Sequence, residues 1–128
     1  MDWHDAALGA AGAIGSGTAI IHGVLTQRLM VRPIDALLAG APGITAPIRR
    51  IVPILLHFST AAWFAGGGAL IAAACCFAPD AKMATAFCVG GLFLFGAIGN
   101  AWATRGRHPG WMLMAAAVVL IAFGLSPA

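Results

Sequence analysis

The stretch Ala6–Gln27, AALGAAGAIGSGTAIIHGVLTQ, carries no charged side chain. A helix needs about 20 apolar residues to cross the hydrocarbon core of a bilayer, and this run is long enough. It contains Gly9, Gly12, Gly15, Gly17 and Gly23, a content that argues against a helix in water. In lipid an unpaired backbone amide is so costly that the helix persists, and small residues let a second helix approach closely. The run is therefore expected to be a tightly packed, interior-facing span.

Outward from it, three more apolar runs cover about 48–77, 83–104 and 110–125. Pro33 is expected to end the first helix, and Asp35–Ala39 to form a short helix on the membrane surface, closed by Gly40. Thr45 is the expected N-cap for the second span, and Pro53 inside that span implies a bend. Ala78–Lys82 and Arg105–His108 read as short turns. The expected fold class is an all-α integral membrane protein. It is a four-transmembrane-helix antiparallel bundle, one domain over residues 1–128, with a short interfacial helix between helices 1 and 2.

Composition points the same way. Of the 128 residues 61% are hydrophobic and only 9% charged, against roughly 25% charged in a soluble domain. The mean hydropathy is +0.94. The net charge of +3 is spread through the loops without a clustered basic face, so the expected partners are the bilayer and its anionic lipids and not nucleic acid. Arg28, Arg32, Arg49, Arg50, Arg105 and Arg107 flank the spans on one side as candidate head-group contacts, and only Lys82 lies on the other. The positive-inside rule then puts both termini on the non-cytoplasmic face of a bacterial cytoplasmic (inner) membrane. Asp2 and Asp5 replace the basic start of a secretory leader, so the first run is expected to stay in the mature chain. Cys75, Cys76 and Cys88 form neither a CxxC motif nor a disulfide framework, and are expected to act as small buried hydrophobes.

Polar groups within the spans are the candidates for function. No Asp, Glu, Lys or Arg lies deep in any span, which leaves nothing to build a carboxylate-driven antiporter or a two-carboxylate hydrolase. What remains is His22, His57 and Asn100, with Thr18 and Thr60 on their helical faces. At 1.5 Å per residue His22 lies about 9 Å before Arg28, His57 about 10 Å after Arg50, and Asn100 about 8 Å before Arg105. Three helices thus carry polar groups at one depth. The set serves as interhelical hydrogen-bonding glue, as a ligand site in which His22 and His57 hold a haem b or a quinone head group, or as a relay in a small channel or transporter. Two histidines and an amide are too few ligands for a dedicated metal site. Ser59 cannot pair with His57 two residues away on one helix; Ser16 or Ser59 can meet a histidine across helices, but no acid is present to orient the base of a serine protease. Trp63 falls at mid-span and is expected either in the interior or against lipid.

The string Phe58-Ser59-Thr60 resembles an element of the small fluoride channels, which share the chain length and the four spans. That family carries the element in its third span, has weak charge bias, and is rejected as a match. The leading expectation is a small non-enzymatic membrane protein, working as an oligomer or as a subunit of a larger membrane complex.

Overall fold

The computed structural model describes residues 2–126, and every regular element in it is helical. Helix α1 spans Trp3–Thr26 and passes through a π-helical turn, Gln27–Val31, into α2, Arg32–Ala39. Then follow α3, Ala46–Cys76, α4, Pro79–Ala103, and α5, Gly110–Gly124. Three helical stretches, Trp3–Ala39, Ala46–Cys76 and Pro79–Ala103, are long and apolar enough to cross a membrane, and α5 is a shorter apolar helix. This is a helical, membrane-type fold.

Pro33 does not end the first helix. The chain runs on as one 37-residue helical stretch. A proline in an α-helix lacks its N–H and drives its ring into the carbonyl four residues back. The wide turn ahead of it relaxes that conflict: the Arg32 N–H reaches back to the Gln27 carbonyl, and Pro33 falls in the first turn of α2, where prolines are tolerated. The second turn is also tighter than expected. Pro79, Asp80, Ala81 and Lys82 belong to the first turn of α4, leaving only Phe77 and Ala78 between helices. Thr45 stands at the N-cap of α3 with extended backbone, but its hydroxyl makes no capping bond. Arg105 and Gly106 take positive φ, 51° and 73°, to turn α4 into α5, and Trp111 Nε1 donates to the Gly106 carbonyl at 3.1 Å.

Helix α1 packs against α3 and α5, and α4 against α3 and α5. The core is built of small residues with a few large ones set between them: Leu8, Leu70, Phe93 and Met114 are fully buried among Ala11, Ala73, Ala86 and Ala117. Gly12 and Gly67 face each other so closely that a Cβ on Gly12 would lie 2.5 Å from the Gly67 carbonyl oxygen. A Cβ on Gly15 would fall into the Phe93 ring. Gly12, Gly15 and Gly23 of α1 thus serve close contact, as small-residue helix interfaces require, whereas Gly9 and Gly17 face open space. Phe58, Phe95 and Trp102 point outward with more than 70% of their surface exposed, which is where a bilayer would meet them. The three thiols are free and also exposed, contrary to their expected burial. At one end of the molecule Lys82 pairs with Asp5, and His4 Nδ1 donates to the Phe123 carbonyl at 3.2 Å. At the other end Arg49 pairs with Asp35 at 3.2 Å.

Candidate functional site

His22 sits one turn before the end of α1, on the face that also buries Ala11, Gly15 and Thr18. Two hydroxyls converge on its Nε2: Ser59 Oγ of α3 at 3.2 Å and Thr26 Oγ1 of its own helix at 3.3 Å. Nε2 carries one lone pair or one N–H, so it makes its main bond to one of the two hydroxyls at a time. The imidazole lies against the Trp63 ring, centroids 4.6 Å apart and planes tilted by 50°. Trp63 is only 5% exposed. It is seated because Gly96 of α4 offers no side chain, and a Cβ there would approach the indole to 2.6 Å.

Beside this group α3 and α4 enclose a pocket of about 280 Å³. His22, Ser59 and Asn100 give it its polar side chains, and Phe58, Trp63, Leu92 and Phe95 its apolar walls. Phe58 and Phe95 are largely exposed, so the opening is toward the outside of the bundle. The Asn100 amide N–H donates to the Gly96 carbonyl at 2.9 Å, leaving its oxygen as an acceptor. Thr104 Oγ1 donates to the Asn100 carbonyl at 2.7 Å and secures the end of the helix. The volume lies just below the roughly 300–1,000 Å³ of ligand pockets, room for no more than a single ring with small substituents.

His22 and Asn100 are thereby brought together, whereas His57 is not part of that pocket. Its Nε2–H donates to Gln27 Oε1 at 2.9 Å, and it borders two other clefts, one with Pro53 and Phe58 and one with Gln27, Arg28 and Arg32. The cause is the orientation of α3. Its buried face runs through Trp63, Gly66, Gly67 and Leu70, while Phe64 and Gly68, on the His57 face, are exposed. The two imidazoles thus bond different partners and border different clefts. Among the described residues no three His, Cys, Asp or Glu side chains gather as a metal would need. Thr18 and Thr60 each hold a buried hydroxyl oxygen without a partner. Arg28, Arg32, Arg50, Arg105 and Arg107 are exposed, and Arg49 is partly covered.

Sequence reasoning missed Gln27 as the partner of His57 and Trp63 as the pocket wall. A polar residue one turn from a helix end was a signal for the first. For the second, the spacing of Trp63 from Ser59 by four residues puts both on one face of α3.

No protein-family profile, curated protein or solved structure matches the chain.

Proposed function

We propose that this is a non-enzymatic membrane protein that takes a lipid-soluble, single-ring ligand of the quinone type from the bilayer into the His22–Asn100 pocket. The observation that carries this reading is a mostly apolar pocket that opens between outward-facing Phe58 and Phe95 and ends on three polar groups. With Ser59 O–H donating to His22 Nε2, the imidazole Nδ1–H is the donor suited to a ring carbonyl, Ser59 Oγ and the Asn100 oxygen are acceptors suited to a ring hydroxyl, and Trp63 offers a stacking face. A ligand reached from lipid needs no aqueous channel, in keeping with the lack of deep charges.

The chain in this reading crosses the membrane four times as an antiparallel bundle, with α2 at the interface. Gly12 lies beside Gly67, Ser16 bonds the Phe64 carbonyl and Gly23 touches Thr60, so contacts step down α3 as they step up α1. Helix α5 rises about 22 Å, short of the roughly 30 Å core, and local thinning of the bilayer makes up the difference. The arginine-bearing turns face the cytoplasm. Equilibrium binding of a short-tailed quinone to the protein in nanodiscs tests the reading. One saturable site per chain, weakened about tenfold or more by His22→Ala and retained in His57→Ala, is the expected result. Partition without saturation would overturn it.

A second reading is assembly with further copies of the chain or within a larger membrane complex. It is favoured by the outer face of α4, where Gly91 and Gly99 leave open space beside the exposed rings of Phe87 and Phe95. Native mass spectrometry that finds only monomers, with no co-purifying subunits, would remove it.

A further inference from the structure

Where α1 runs into its π-helical turn, a second cleft of about 430 Å³ opens against α3. Gln27, Arg28, Arg32, His57 and Thr60 line it, and its wall continues along α1 through Val24 and Ile20, both exposed. The π turn is what assembles this group. By adding a residue to the turn it brings Arg32 N–H onto the Gln27 carbonyl and sets Gln27, Arg28 and Arg32 on one border. Such turns recur at functional positions because they interrupt regular packing at a cost. The ion pairs among the described residues are Arg49–Asp35 and Lys82–Asp5, so neither Arg28 nor Arg32 has a carboxylate beside it. Gln27 uses its oxygen on His57, which leaves its amide N–H groups as further donors.

The cleft therefore combines two uncompensated guanidinium groups with neutral donors at one end and an apolar wall at the other. We propose that it is a stoichiometric site for the phosphate group of an anionic phospholipid. The guanidinium forks hold the phosphate oxygens, and an acyl chain lies along Val24 and Ile20. This rests on the reading that the arginine-bearing end lies at head-group level, and it is independent of the His22 pocket. It differs from diffuse attraction to a charged leaflet in being local: Arg105 and Arg107 carry the same charge at the same end and do not line the cleft.

The test is native mass spectrometry of the full chain with phosphatidylglycerol, phosphatidylcholine and inorganic phosphate in turn, with vesicle insertion measured in parallel. One phosphatidylglycerol retained per chain in preference to phosphatidylcholine is expected of the wild type. The double variant Arg28→Gln/Arg32→Gln is expected to weaken that retention about tenfold or more, and Arg105→Gln/Arg107→Gln less than about twofold. Equal losses in the two double variants, or no preference for the anionic lipid, overturn the site. Displacement of the lipid by millimolar inorganic phosphate overturns the lipid assignment in favour of free phosphate. The wild-type preference needs no variant, and its absence overturns the site even if the arginine variants do not fold. Protein that inserts into vesicles without any preference ends the cleft and leaves the four-span reading in place, whereas protein that does not insert ends both.

Discussion

Near the start of α1 the seam with α3 closes on backbone, with Gly12 against Gly67 and no room for a methyl group between them. Further along the same two helices the seam is held by side chains: His22 on Ser59, His57 on Gln27, and Gly23 against the methyl group of Thr60. In the first half the two backbones approach each other closely, in the manner of small-residue helix crossings. The second half carries the bonds between side chains, His22 to Ser59 and Gln27 to His57, whereas the first half adds only Ser16 Oγ donating to the Phe64 carbonyl at 3.4 Å, and the second half is flanked by clefts. One pair of helices thus shows a division of labour. Close packing fixes the bundle at one end, and that fixed end lets the other keep open, polar space without falling apart.

The comparison breaks most readily at the glycines. Gly67→Ala is expected to cost about 1–3 kcal/mol, because its Cβ would meet the Gly12 carbonyl oxygen at 2.6 Å, and backbone cannot step aside as a side chain can. Reversible unfolding in mixed micelles measures this. Gly68→Ala, one residue on and facing open space, is expected to be neutral or to stabilise by up to about 1 kcal/mol from helix propensity alone. Equal destabilisation by the two would refute a packed seam.

The polar half responds less in stability. His22→Ala and His57→Ala each remove one interhelical bond, worth about 0.6 kcal/mol on average in a membrane bundle. The two are nonetheless expected to part company on ligand binding, with only the first weakening it. Thermal unfolding and a quinone titration on the same preparations supply both readouts, and parallel behaviour of the two variants would merge what the structure separates.

The smallest effect is expected at Thr60. Its hydroxyl oxygen is buried without a partner, so Thr60→Val removes an unmet polar group at almost constant shape. Stability within about 0.5 kcal/mol of wild type or slightly above it is expected, again from mixed-micelle unfolding. A clear loss would mean that the hydroxyl has a partner such as a bound water.

The helical class and the chain's suitability for lipid were legible in the apolar runs, because a stretch such as Ala6–Gln27 has few other physical solutions. The inward face of α1 through Ala11, Gly15, Thr18 and His22 was legible from helical spacing, as was that of α4 through Phe93, Gly96 and Asn100. The passage past Pro33 was not. A proline signals a conflict in the hydrogen-bond ladder, and whether the chain breaks or widens by one residue is decided by the tertiary contacts around Gln27 and Val31. The separation of His57 from His22 was hidden for a related reason. Depth along a helix follows from counting, but rotation about its axis follows from which face is buried. In α3 the Gly66-Gly67-Gly68 run gave no contrast from which to tell that Gly66 and Gly67 turn inward and Gly68 outward.

The most direct measurement uses Trp63, which touches His22 and walls the pocket. With Trp3, Trp102 and Trp111 replaced by Phe, Trp63 remains as the sole indole of the chain's four. Saturable quenching of its emission by a short-tailed quinone in nanodiscs, abolished by His22→Ala and preserved in His57→Ala, is the outcome expected if the pocket between α3 and α4 receives the ligand. Emission that stays unchanged to the solubility limit of the quinone, or quenching indifferent to His22, would contradict it.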